Sequence, residues 1–140
     1  MKHILLLTGP PGIGKTTVIR RVAGGLSGMP LRGFTTQEIR AGRERVGFRL
    51  ETFDDRSLVL AHVDNRSARR VGKYGVDIEA FDRLVDTMLS GEHAERVYLI
   101  DEIGKMECLS QRFVAAVTAI LDSSACVVAT IALRGEAFIE

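Results

Sequence analysis

Residues Gly9-Pro10-Pro11-Gly12-Ile13-Gly14-Lys15-Thr16 fit the pattern G-x-x-x-x-G-K-[ST] at every fixed position. The spacing has a chemical reason. A loop that wraps a phosphate must turn its backbone N–H groups inward, and glycines permit both the unusual dihedrals and the close approach. A helix that starts at the lysine points its positive end at the anion. Lys15 then reaches the β- and γ-phosphates, the Thr16 hydroxyl ligates Mg2+, and Thr17 adds a hydrogen bond to phosphate. A Gly/Pro turn before an ordinary helix would look similar alone. Here the motif follows an apolar strand and opens a helical pattern, which favours phosphate binding.

A phosphate loop needs an acid near its metal. The run Val97-Tyr98-Leu99-Ile100 ends on Asp101, at the carboxyl end of an apolar strand, where ligands bind in open α/β sheets. Asp101 is the expected metal-side acid, acting through water. Glu102 follows and is placed to polarise an attacking water. The plainer readings are a helix cap or strand end for Asp101 and an exposed surface acid for Glu102. Asp101 to Gly104 also reads D-x-x-G, but no N-K-x-D accompanies it, which disfavours a guanine switch.

Other candidates are less specific. Arg66, Arg69, Arg70 and Lys73 cluster in a glycine-containing stretch. They form either a lid that brings a cation to the γ-phosphate or a solvated basic loop. Lys105 and Glu107 either line the site or pair on the surface. Thr130 faces the γ-phosphate if its strand lies beside the phosphate-loop strand, and Arg134 is a weaker candidate of the same kind.

The surrounding pattern must position these groups. Ile4 to Leu7 reads as a buried parallel strand. Val18, Val22 and Leu26 follow at helical spacing. Gly33 to Ile39 and Arg45 to Phe53 read as a β-hairpin, Ser57 to Val63 as a further strand, and Asn65 to Gly75 as a loop. Asp77 caps a helix carrying Ile78, Phe81, Leu84, Val85, Met88 and Leu89. Val97 to Ile100 and Cys126 to Ala132 are further buried strands, with a helix through Phe113, Val117 and Ile120 between them. This order describes an α/β domain with a parallel core and an antiparallel insertion.

Composition sets the bounds. The 140 residues make one domain, 1–140, with 46% hydrophobic and 26% charged residues. A formal net charge of +1 supplies no general attraction for nucleic acid or anionic membrane. Six Phe, two Tyr and no Trp argue against a base-stacking surface. The amino-terminal apolar run is too short for a secretory signal, and no run reaches a membrane span, so the cytoplasm is the expected location. Cys108 and Cys126 form no CxxC pair and read as small core residues. Asn65-Arg66-Ser67 matches a glycosylation acceptor by chance. The tail from Leu133 to Glu140 reads as the beginning of another element.

Several segments recur in one order: the phosphate loop through Thr17, Gly33-Phe34-Thr35-Thr36, Arg70 to Asp77, Asp101 to Glu107, and Ala129-Thr130-Ile131-Ala132. In this the chain resembles the THEP1-type nucleoside-triphosphatase family over essentially its whole length. The resemblance implies a three-layer, RecA-like P-loop NTPase fold. It also implies Mg2+-dependent hydrolysis of ATP, GTP, CTP and UTP to diphosphate and phosphate, and a monomer is expected. Thr35 stands where many relatives are expected to carry an aromatic residue, and Cys108 where leucine is usual. The carboxyl-terminal segment of the family is expected to be missing. Two other functions stay open at this stage: a P-loop kinase acting on a small acceptor, and a nucleic-acid-linked ATPase module.

Overall fold

The computed structural model describes residues 3–10, 13–26, 28–94 and 96–132. The apolar runs become strands and the 3.6-residue patterns become helices. In chain order these are β1 (Ile4–Leu7), α1 (Lys15–Gly25), β2 (Leu31–Ala41), β3 (Glu44–Thr52), β4 (Ser57–His62), β5 (Arg70–Val71), β6 (Tyr74–Val76), α2 (Ile78–Met88), β7 (Val97–Ile103), α3 (Gln111–Asp122) and β8 (Cys126–Ile131). All the strands join one sheet in the order β1-β8-β7-β2-β3-β4-β6-β5. Neighbours from β1 to β2 run parallel and those from β2 onward run antiparallel. The parallel core and the antiparallel insertion therefore share a continuous sheet, with β2 as the common strand.

The helices differ in how they begin. Asp77 caps α2 by accepting from the Ala80 N–H at 3.1 Å, and Ser110 caps α3 by accepting from the Phe113 N–H at 3.0 Å. The Ser110 hydroxyl also donates to Asp82, which ties the start of α3 to α2. Helix α1 has no side-chain cap and no acid in its first turn. Its first N–H groups stay available to an anion.

The core lies between the sheet and the pair α2 and α3. Phe34, Phe81 and Phe113 meet there with ring centroids 5.4 to 6.1 Å apart. Tyr98 and Ile100 of β7 join this cluster, whereas Leu99 and Ile19 of α1 are fully buried outside it. Cys108 packs against the cluster. Burial first, and then the charge of Glu107, push its thiol up to about 12, so it stays protonated and unreactive.

Three expectations need correction. The β1 strand pairs with β8 alone, and Ile4, Leu5 and Leu6 are 42 to 52% exposed, so it is an edge strand among the described residues and not a buried one. Helix α1 buries Ile19 and leaves Val18 exposed, because its contact with β2, β7 and β8 runs along the Ile19 side. The stretch read as a loop from Asn65 to Gly75 contains the small hairpin of β5 and β6, turned at Gly72 with φ of 57°. Two-residue strands are too short to show a period of two in the sequence. No helix among the described residues is long and apolar enough to cross a membrane. The Leu133 to Glu140 tail, with Arg134, lies outside the described residues.

Gly33 holds the junction between the insertion and the core. Its φ is 109°, and a Cβ there would sit 1.9 Å from the Leu99 carbonyl oxygen of β7. Gly33→Ala must strain the left-handed backbone and push β2 off the strand that carries Asp101. We expect a loss of about 3 kcal/mol or more in urea unfolding. A loss under about 1 kcal/mol would show that β2 and β7 can separate cheaply at this point.

Candidate active site

The phosphate loop leaves β1 and enters α1. Pro11 and Gly12 lie outside the described residues. Gly9 has φ of 155° and Gly14 has φ of 102°, conformations that side chains rarely adopt. The Ile13 N–H donates to the Pro10 carbonyl at 3.4 Å, and the exposed Ile13 side chain lies against Gly9. Lys15 folds back over the loop, and its Nζ donates to the Gly9 carbonyl at 2.9 Å and to Glu102 Oε2 at 3.2 Å. This bond spans 87 residues of sequence and ties the loop to the acidic strand end.

Two adjacent residues of a regular strand point to opposite faces. Asp101 and Glu102 escape that rule. In the pairing of β7 with β8, Ile100 stands opposite Ala129 and Ile103 opposite Ile131, so Asp101 and Glu102 together span the place of Thr130 alone. Such a bulge re-aims side chains. Both acids line one cavity of about 700 Å3 with Gly14, Lys15, Thr16 and Thr17.

Asp101 is buried, and its Oδ1 accepts from the Thr130 hydroxyl at 2.8 Å. Its Oδ2 is buried without a hydrogen-bond partner among the described residues. An orphaned carboxylate oxygen is costly unless a cation or its bound water meets it. A carboxylate and the Thr16 hydroxyl are hard oxygen donors, a set suited to Mg2+ completed by phosphate and water. Among the described residues no group of three or more His, Cys, Asp or Glu is arranged to hold a metal ion by itself. Thr130 is fully buried against Asp101 and does not line the cavity, although its strand has the expected neighbour. Its strand lies beside β1, with Leu7 opposite Thr130.

The basic loop behaves differently from a lid. Arg70 Nη1 donates to the Asn65 carbonyl at 2.8 Å and Nη2 to the Lys73 carbonyl at 2.8 Å, so its guanidinium braces the segment from within. Lys73 pairs with Glu44 at 3.4 Å and lies over the Tyr74 ring. Neither residue lines the cavity. Lys105 lies at a second, smaller cavity of about 240 Å3 with Glu102 and Glu107.

The opposite wall of the main cavity comes from the insertion. Thr36, Gln37 and Glu38 of β2 and Arg45 and Phe48 of β3 line it, as does Arg20 of α1. Sequence reasoning assigned none of these to the site. Thr36 belongs to a recurring segment, but no local signal says that the hairpin rises beside the phosphate loop.

Glu107 is buried against the acidic pair. A Cβ on Gly104 would lie 2.8 Å from Glu102 Oε1 and 3.0 Å from Glu107 Oε1, so the two carboxyls converge on this glycine. Burial first, and then the nearby charges of Glu102 and Asp101, raise the Glu107 carboxyl from 4.5 to about 8. Glu107 is therefore protonated at neutral pH.

A phosphate loop between a parallel strand and an uncapped helix, facing an aspartate on the next strand but one, defines a P-loop protein. A family model described as NTPase matches residues 4–140. Nucleoside-triphosphatase THEP1 of Thermotoga maritima is 39% identical over 137 residues, covering 97% of this chain and 78% of that protein. The human cancer-related nucleoside-triphosphatase is 41% identical over 129 residues, covering 84% and 68%. The crystal structure of THEP1 from Aquifex aeolicus superposes with a TM-score of 0.80 at 38% identity, covering 96% of this chain and 78% of that one. The chain belongs to the NTPase family.

Glu107 makes a pH prediction. Folded, it keeps its proton up to about 8; unfolded, it loses it near 4.5. The folded state binds the extra proton between these values, so Glu107 lowers stability as pH rises through that window. Glu107→Gln should therefore gain more stability over wild type at pH 8 than at pH 5, read as the difference in urea midpoints without metal or nucleotide. An equal difference at both pH values would contradict the burial of a protonated Glu107.

Proposed function

We propose that the chain hydrolyses nucleoside 5′-triphosphates to diphosphate and inorganic phosphate, with Mg2+ and with little selection among ATP, GTP, CTP and UTP. The observation that carries this reading is the bridge from Lys15 to Glu102 beside an Asp101 oxygen that lacks a partner. The sheet is read as the middle of three layers in a RecA-like order. The support is the burial of Ile19 and Leu99 away from the cluster under α2 and α3. The relatives' names specify nucleoside triphosphates without naming a base.

Each residue then has a role. Gly9, Gly14 and the first turn of α1 bind the phosphates through backbone N–H groups. Lys15 transfers its Nζ from Glu102 to the terminal phosphates and offsets charge there. That exchange frees Glu102 to accept a proton from the attacking water. Thr130 holds Asp101 so that Oδ2 faces the cation site. Thr16 and Asp101 would hold Mg2+, which would supply charge neutralisation at the phosphates.

A second reading, phosphoryl transfer to a small acceptor, has one observation in its favour. The smaller cavity shares Thr36, Phe48 and Glu102 with the main one and has apolar walls at Leu60, Val71 and Met106.

Phosphate release from each NTP, with Mg2+ and no acceptor, separates the readings. Hydrolysis predicts release across all bases, its loss in EDTA, and its restoration by Mg2+. Lys15→Ala and Glu102→Gln should each lower kcat by roughly 100-fold or more, with Glu102→Gln still binding nucleotide. Near-normal turnover in Glu102→Gln would remove Glu102 from the mechanism. Label from a γ-labelled triphosphate appearing in an added acceptor, and not as phosphate, would favour transfer.

A further inference from the structure

We propose that Arg45 is the cation that meets the terminal phosphoryl group from the hairpin side of the site. This deepens the triphosphatase reading and rests on it.

Sheet order defines which side that is. The β7 strand, with Asp101 and Glu102 at its end, lies between β8 and β2. The phosphate loop approaches from the β1 side and the β2–β3 hairpin from the other. A phosphoryl group held by Lys15 and Glu102 therefore has the hairpin as its far wall. Among the described residues, the cations lining the cavity are Lys15, Arg20 and Arg45. Lys15 serves the loop. Arg20, on α1, and Arg45 are both exposed, but Arg20 has no hydrogen bond or ion pair among the described residues. Arg45 alone combines a place on the far wall with a built mounting.

The mounting is specific. Arg45 Nε donates to the Tyr74 hydroxyl at 2.9 Å, and Nη1 to Glu38 Oε1 at 3.3 Å. The guanidinium lies 5.0 Å from the Phe48 ring centroid and 5.7 Å from that of Tyr74. These contacts fix the plane of the fork. The Nη2 group has no acceptor among the described residues. Arg40 also bonds Glu38, so Glu38 does not neutralise Arg45 alone. A guanidinium held through Nε and Nη1, with the Nη2 nitrogen left over, has a fixed donor to offer a phosphoryl oxygen whose charge grows during transfer. Arg70 cannot serve in this way, because its donors are spent on backbone carbonyls.

The test compares Arg45→Ala and Arg45→Lys with wild type in three readouts. These are kcat and KM for ATP with Mg2+, calorimetric Kd for ADP, and calorimetric Kd for the non-hydrolysable β,γ-imido analogue of ATP. Thermal unfolding confirms that each variant folds. We expect Arg45→Ala to lose about 100-fold or more in kcat with KM changed only a few-fold. ADP affinity should hold, while the analogue's advantage over ADP shrinks several-fold. Arg45→Lys should recover part of the analogue's advantage but little kcat, because a point charge replaces the fork. Tyr74→Phe, which keeps the ring and removes the hydroxyl, should fall between wild type and Arg45→Ala. The proposal is overturned if Arg45→Ala keeps kcat within a few-fold, or if it weakens ADP and the analogue equally. If wild type releases no phosphate from any NTP, the hydrolase reading fails. The comparison of ADP with the analogue still decides whether Arg45 contacts the terminal phosphate.

Discussion

The site depends on a break in the alternation of one strand. The extra residue of β7 opposite Thr130 lets Asp101 and Glu102 serve the same cavity. Without it, one acid would face the phosphate loop and the other would enter the packed face. Around this break the acids are held from three directions. Thr130 fixes Asp101 from β8, Lys15 holds Glu102 from the loop, and Gly104 lets the carboxyls of Glu102 and Glu107 approach closely. The core behind β7 keeps the strand in place through Tyr98 and Ile100 on one face and Leu99 on the other.

The charges form a graded set. Glu102 is compensated by Lys15. Asp101 keeps one oxygen for a cation. Glu107, buried beside them, has its carboxyl raised to about 8 by burial first and then by the charges of Glu102 and Asp101. A cation at Asp101 and a phosphate at Lys15 would relieve the same local imbalance from opposite signs. That is why the metal and the nucleotide are best regarded as arriving at one electrostatic unit and not at two separate sites.

Much of this was legible before any coordinates. The phosphate loop and Asp101 at the end of an apolar strand follow from short-range pattern, because each sits where a strand stops, whereas Thr130 depended on which strands lie side by side. The order of elements was legible for the same reason. Long-range features were not. Arg45 and Phe48 lie in a hairpin whose own pattern says nothing about what it faces. Arg70 sat in a recurring basic segment that suggested chemistry, yet its fork braces backbone carbonyls. The apolar character of Ile4 to Leu6 suggested burial on both sides, but strand pairing among the described residues covers one side only. Glu107 stayed between lining the site and pairing on the surface, because sequence spacing cannot reveal the 3-10 turn that buries it.

The central claim is that Lys15 changes partners, from Glu102 to phosphate, while Asp101 Oδ2 gains a cation-side partner. An experimental structure of the protein with the β,γ-imido analogue of ATP and Mg2+ tests it most directly. The account predicts Lys15 Nζ within hydrogen-bond distance of phosphate oxygens and separated from Glu102. It also predicts Asp101 Oδ2 bonded to the metal or to one of its waters. Retention of the Lys15–Glu102 bond, with Asp101 Oδ2 still without a partner, would contradict it.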